Sequence, residues 1–173
     1  MKRLSSIFIQ DDFFPKQELQ VITNDVLKAD YTVPNQDRVK TFDGVYWHNH
    51  YLPDKCEVKD LIQKLIKKYF DWNVKENTHE SVYTMVGVSD KARPHADGSK
   101  AQCLIYVLGD EKINNGTGFY NKKSENEYEL SSMIGFKQNR AIFFTGGIVH
   151  SPMHWNAKEG ESSWRYSICN FFD

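Results

Sequence analysis

The stretch Trp164-Arg-Tyr-Ser-Ile-Cys-Asn-Phe-Phe172 alternates polar and apolar side chains in a way that is typical of a β-strand. Successive side chains of a strand point to opposite faces of a sheet, so Arg165, Ser167 and Cys169 are expected to share one face. An arginine on an interior face needs an anion beside it. The stretch therefore predicts a strand that contributes to a binding site.

Five earlier runs have the same β-rich character and are separated by turn residues such as those at 114–116 and 146–147. Many short strands with frequent turns are typical of a β-sandwich or barrel. The predicted runs are Ser81–Val88, Ala101–Leu108, Gly118–Asn121, Tyr128–Phe136 and Ala141–Thr145.

The first 79 residues have the periodicity of amphipathic helices instead. One helix is predicted from Pro15 to about Lys28, and a stronger apolar stripe runs from Val58 to Phe70 after Asp54, a candidate N-cap. Residues 31–52 between them read as loop with one strand. We therefore predict one domain, residues 1–173, with a helical front at 1–79 and a jelly-roll core at 80–173. Its fold class is mostly β with flanking helices: a double-stranded β-helix with the N-terminal helices packed on one sheet.

Composition narrows the functional classes. The formal net charge of −1 provides no basic field for a nucleic-acid backbone, so nucleic acid is not expected as a partner. No run approaches the roughly 20 apolar residues that span a membrane. The three cysteines are widely spaced, which favours neither a disulfide framework nor a thiolate zinc site. These features predict a soluble, cytoplasmic protein.

The most informative motif is His95-Ala-Asp97, followed by His150. On a strand, His95 and Asp97 would face the same side. Two imidazoles and one carboxylate form the ligand set of non-haem Fe(II), and they leave positions open for substrate and dioxygen. His154 is a rival ligand four residues after His150, but Pro152 and the nearby glycines disfavour the helix that such a pair requires. We predict that His95, Asp97 and His150 bind a metal and carry catalysis.

Arg165 and Ser167 would present a guanidinium and a hydroxyl to the same interior, an arrangement that suits a carboxylate-bearing cosubstrate. Tyr83 and Tyr106, on neighbouring predicted strands, are candidates for donating a phenolic hydroxyl to that carboxylate. Either tyrosine is equally well interpreted as a core aromatic residue.

Several of these motifs, in this order, resemble the core of the Fe(II)- and 2-oxoglutarate-dependent oxygenases, in particular the prolyl-4-hydroxylase-like branch with its small bacterial and phage members. The resemblance covers about residues 80 to 172. The motifs are His95-Ala-Asp97-Gly-Ser, Cys103-Leu-Ile-Tyr-Val-Leu, Asn115-Gly-Thr-Gly-Phe-Tyr120, Asn139-Arg-Ala-Ile-Phe-Phe, His150-Ser and Arg165-Tyr-Ser.

The resemblance implies that His95, Asp97 and His150 bind Fe(II), and that Arg165, assisted by Ser167, holds the distal carboxylate of 2-oxoglutarate. It also implies a dioxygenase that hydroxylates an amino-acid or peptidyl, prolyl-type substrate and forms succinate. Two alternatives stay open: a cupin-like metal enzyme that does not use 2-oxoglutarate, and a non-catalytic β-sandwich binding module. The expected partners are dioxygen and a small-molecule or peptide substrate, and formation of a homodimer is left open.

Overall fold

The computed structural model describes residues 6–32, 48–75, 78–87, 93–154, 158–160 and 162–173. Within these ranges the chain forms two α-helices, α1 (Lys16–Lys28) and α2 (Glu57–Phe70), and nine strands. In chain order the strands are β1 (Ile7–Gln10), β2 (His48–Tyr51), β3 (His79–Gly87), β4 (Ala101–Leu108), β5 (Thr117–Lys122), β6 (Tyr128–Ile134), β7 (Ala141–Thr145), β8 (Val149–Pro152) and β9 (Trp164–Phe172).

The strands form two antiparallel sheets that face each other. The larger sheet has the order β1-β7-β4-β9-β3-β2, and the smaller has the order β6-β5-β8. At the centre of the larger sheet, β9 pairs with β3 along its full length and with β4 on its other side. This is the predicted double-stranded β-helix, and its central strand is the WRYSICNFF stretch.

The two faces of the larger sheet have different partners. One face packs against the helices, where Ile22 and Val26 of α1 and Ile62 and Ile66 of α2 are almost completely buried with Phe143 of β7. The opposite face looks toward the smaller sheet. There the buried aromatic and aliphatic residues are Tyr106, Phe119, Phe136, Ile142 and Phe144. The predicted packing of helices on one sheet is confirmed, and the other face is left to line a cavity.

Three details differ from the sequence-based prediction. The segment 1–79 is not purely helical, because β1 and β2 extend the larger sheet at its two edges. Helix α2 is not capped by Asp54: the residue before the helix is Cys56, and the Asp54 carboxylate lies 3.5 Å from the ammonium of Lys59. Strand β8 was not predicted. Of the segment predicted as loop, residues 33–47 lie outside the described ranges.

All three cysteines carry free thiols. Within the described residues, neither helix is long and apolar enough to cross a membrane.

Candidate metal centre

The backbones of His95 and His150 are hydrogen-bonded to each other. The amide of His95 donates to the carbonyl of His150 at 3.0 Å, and the reverse hydrogen bond measures 2.8 Å, so the two residues form one antiparallel bridge. Directly opposed residues of such a pair bring their side chains close together. The ring centroids are accordingly 4.9 Å apart. A single bridge thus replaces the regular strand that the motif predicted around His95.

Asp97 completes the cluster from the same side of the chain. Its carboxylate oxygens lie 3.4 Å from Nε2 of His150 and 3.9 Å from Nε2 of His95. Within the described residues, these three form the group whose ligand atoms lie within 4.8 Å of one another. The structure therefore brings together the three ligands predicted from sequence.

Hydrogen bonds to neighbouring groups fix the orientation of each ligand. Nδ1 of His95 lies 3.0 Å from the carbonyl oxygen of Arg93, and Nδ1 of His150 lies 3.0 Å from that of Ile148. Because a carbonyl oxygen only accepts, both Nδ1 atoms must donate, and in a neutral imidazole this leaves the lone pair on Nε2. The side-chain amide of Gln102 donates to Asp97 Oδ2 at 2.8 Å. Such partners hold metal ligands in their binding orientation.

The electrostatics also favour ligation. Burial lowers the pKa of His150, and the neighbouring His95 lowers it further. The imidazole of His150 is therefore neutral near pH 7, which is the form that binds a metal. Two imidazoles and one carboxylate on one side of an ion suit a divalent metal such as Fe(II) and leave its other side open. The donor set present fits non-haem iron.

A cavity of about 320 Å³ extends from this cluster along the inner face of the larger sheet. The register of β4 and β9 shows how the cavity runs along the sheet. At the end near the metal cluster, Gln102, which donates to Asp97, is paired with Phe171. At the other end of β4, Tyr106 is paired with Ser167. Leu104 and Cys169 are paired midway. Arg165 and Thr117 line the cavity beyond them. The metal cluster and the arginine therefore lie toward opposite ends of one cavity.

Arg165 is only 3% exposed. Its Nη1 donates to the backbone carbonyls of Asn115 and Gly116, at 2.8 and 2.6 Å, and its guanidinium carbon lies 5.8 Å from the centroid of the Tyr106 ring. These neighbours are neutral, and burial lowers the pKa of Arg165. A bound carboxylate would complement the buried charge.

The two candidate tyrosines occupy different places. Tyr106 is completely buried beneath the guanidinium, and its hydroxyl lies 2.7 Å from that of Thr117, so Thr117 stands between it and the cavity. The expectation for Tyr83 is wrong. Its neighbours on β3, Val82 and Thr84, line the cavity, and strand alternation sends Tyr83 to the helix-covered face.

Ser167 lines the cavity beside Arg165, as the alternation predicted. Gln102 and Thr117 were not predicted. A signal for Gln102 exists in the sequence, because it is the one strongly polar residue in the run AQCLIYVL. His154 is exposed and takes no part in the metal cluster.

No protein-family model and no curated protein sequence matches this chain. Its fold, however, is similar to that of several solved structures. A prolyl-4-hydroxylase from Pseudomonas putida has a TM-score of 0.62 at 11% identity, over 96% of this chain and 91% of that one. HygX from Streptomyces hygroscopicus, with nickel, 2-oxoglutarate and hygromycin B bound, has a TM-score of 0.65 at 9% identity, over 96% and 82%.

A third similar structure is an oxidoreductase of the 2OG-Fe(II) oxygenase family from Burkholderia pseudomallei. Its TM-score is 0.64 at 9% identity, and the match covers 98% of this chain and 84% of that one. These likenesses extend over nearly the whole chain. The chain thus has the fold of the Fe(II)- and 2-oxoglutarate-dependent oxygenases, including prolyl-4-hydroxylase, which confirms the fold that the sequence resemblance implied.

Proposed function

We propose that this protein is an Fe(II)- and 2-oxoglutarate-dependent dioxygenase that hydroxylates an amino-acid or peptidyl substrate. One observation carries the proposal: the cluster of His95, Asp97 and His150 shares a cavity with the buried guanidinium of Arg165. A metal enzyme of the cupin type that does not use 2-oxoglutarate would have no need of that arginine. A binding module would need neither feature.

The residues would divide the work as follows. His95, Asp97 and His150 hold Fe(II), and Arg165 with Ser167 binds the distal carboxylate of 2-oxoglutarate through charge-assisted hydrogen bonds. When bound, the metal and cosubstrate supply the oxidising chemistry, in which dioxygen is consumed, 2-oxoglutarate becomes succinate and carbon dioxide, and a substrate carbon gains a hydroxyl. The apolar walls at Leu104 and Phe144 keep water away from this site.

The proposal is tested by titrating 2-oxoglutarate into protein loaded with Co(II), an inert substitute for Fe(II). We expect binding only after metal loading, and Arg165→Met should weaken it by about 100-fold, because a buried carboxylate loses its charged partner. Arg165→Lys should lose less, and Lys68→Met on the exposed face of α2 should lose nothing. With Fe(II) and air, the wild type should form succinate. Equal 2-oxoglutarate affinity in wild type and Arg165→Met, with the fold intact by circular dichroism, would rule the proposal out.

We also propose that the protein is cytoplasmic, because its three free thiols favour a reducing compartment.

A further inference from the structure

The metal cavity adjoins a second, more polar groove on the protein surface. Four residues line both: Tyr51, Glu80, Asp97 and Phe171. One of them, Asp97, is a proposed metal ligand. A molecule in the groove would therefore pass Tyr51, Glu80 and Phe171 before it reached the metal. The groove therefore opens onto the proposed metal ligands and offers a substrate one route to them.

Strand alternation places Glu80 at this entrance. The even-numbered residues of β3 from Glu80 to Val86 line the cavity, and Glu80 is the first of them. Its partner across the sheet is Phe171, which is also paired with Gln102 on the far side. Glu80 therefore lies at the metal end of the sheet. Tyr51, the last residue of β2, is 54% exposed beside it.

The charges at the entrance are unbalanced. Glu80 is exposed, and within the described residues its side chain makes no hydrogen bond or ion pair. Near the entrance, Lys59 lies 3.5 Å from the carboxylate of Asp54, and Arg93 donates to the side chain of Asn126. Besides Glu80, the groove is lined by the carboxylates of Asp54, Asp97 and Asp173. Carboxylates therefore outnumber cations among the described residues of the entrance, and that of Glu80 lies beside two aromatic residues.

We propose that the substrate carries a cationic group, such as a protonated amine or a quaternary ammonium, which binds the Glu80 carboxylate between the rings of Tyr51 and Phe171. A carboxylate with flanking aromatic faces is a site that attracts a cation through both charge and ring quadrupole. The carbon to be hydroxylated then lies on the metal side of the cation. This inference rests on the proposed function and narrows its substrate class.

The test compares cationic probes with neutral molecules of similar shape on protein loaded with Co(II) and 2-oxoglutarate. The pairs are n-pentylamine with n-pentanol, n-butylguanidine with n-butylurea, and choline with 3,3-dimethyl-1-butanol. Binding is measured by calorimetry and by the change in the visible spectrum of the cobalt. At least one cation should bind the wild type about tenfold or more tightly than its neutral partner.

Glu80→Gln should bring that ratio to within about twofold, since the replacement keeps shape and removes charge. Glu127→Gln, at an exposed position outside both cavities, should keep the ratio of the wild type. The inference fails if neutral probes bind as tightly as cations, if Glu80→Gln keeps the preference, or if no cation binds up to about 10 mM. Failure of 2-oxoglutarate to bind the cobalt protein would instead count against the proposed function, so the two failures are distinguishable.

Discussion

Gln102 is a side chain outside the proposed ligand set that holds one member of that set in place. It is 5% exposed, and its amide donates to the Asp97 oxygen that lies 3.4 Å from His150 Nε2. Without this hydrogen bond the carboxylate is free to rotate away from the imidazoles. Partners of this kind commonly change metal affinity by about 10- to 100-fold.

We therefore predict that Gln102→Leu weakens Co(II) binding by about tenfold or more while the protein stays folded. Affinity is measured by competition with a coloured chelator, and folding by thermal denaturation. Gln20→Leu, on the exposed side of α1, is the matched control and should bind cobalt like the wild type. Unchanged affinity in Gln102→Leu would show that Asp97 is held by other contacts.

The sequence predicts that His95, Asp97 and His150 come together, as they do in the structure, but it predicts the residues around them poorly. His95, Asp97 and His150 were identified from residue type and spacing, which depend on metal chemistry. The misplacement of Tyr83 has a physical reason. Nearly every residue of β3 is buried, because one face meets the helices and the other lines the cavity, so no apolar-polar alternation reveals which residues face inward.

The turn between β7 and β8 positions His150 and depends on Gly146. A β-carbon built at Gly146 would lie 1.8 Å from the carbonyl oxygen of Ser99, and the Gly146 amide donates to the Lys100 carbonyl at 2.7 Å. This close contact joins the turn before His150 to the loop after Asp97. Only glycine allows the two backbones to approach so closely.

Gly146→Ala should therefore destabilise the protein by about 2–4 kcal/mol and weaken metal binding, because the turn and the loop must separate. Gly98→Ala is the matched control: a β-carbon there meets no atom within 4 Å, and its stability should change by less than about 0.5 kcal/mol. Urea denaturation measures both. Equal stability of the two variants would contradict the prediction.

Some strands can be predicted from the sequence and others cannot. The bounds of β4, β7 and β9 match the sequence pattern, because long apolar runs between turn residues identify strands. Strand β8 was missed since its four residues, VHSP, include a proline and carry no strand pattern of their own. Strand β1 was missed because a short run before two aspartates does not indicate pairing with β7. Both strands exist through contacts with distant parts of the chain.

Across the whole molecule, Asp11 fastens the N-terminal segment to the rest of the fold. Its carboxylate accepts from Arg140 at 2.6 and 3.1 Å and from Lys137 at 2.9 Å. The hydrogen bond from Arg140 contributes most to lowering the pKa of Asp11, to about 2. Asp11 thus connects the segment after β1 with the turn before β7.

We predict that Asp11→Asn lowers the free energy of unfolding at pH 7 by about 1 kcal/mol, a modest value because the carboxylate is 34% exposed and solvent screens it. A carboxyl group with a lowered pKa stabilises the fold above its unfolded pKa, near 3.8, and that contribution disappears as the pH falls through about 2. The difference between wild type and variant should therefore vanish between pH 4 and pH 2. A difference for Asp11→Asn that stays constant over this pH range would refute the assignment.

The placement of the metal cluster bears on when an ion enters the protein. The helices pack on one face of the larger sheet, whereas the three ligands meet on the other, between the sheets. Most of the apolar burial that drives folding is therefore complete without any ion, in contrast to small zinc domains that are unstructured until loaded. His150 is held near Asp97 by a strand, β8, that pairs with β5 of the smaller sheet. Under the proposed function, iron would therefore bind to a chain that is already folded, and the fraction of protein with iron bound would follow the free iron concentration.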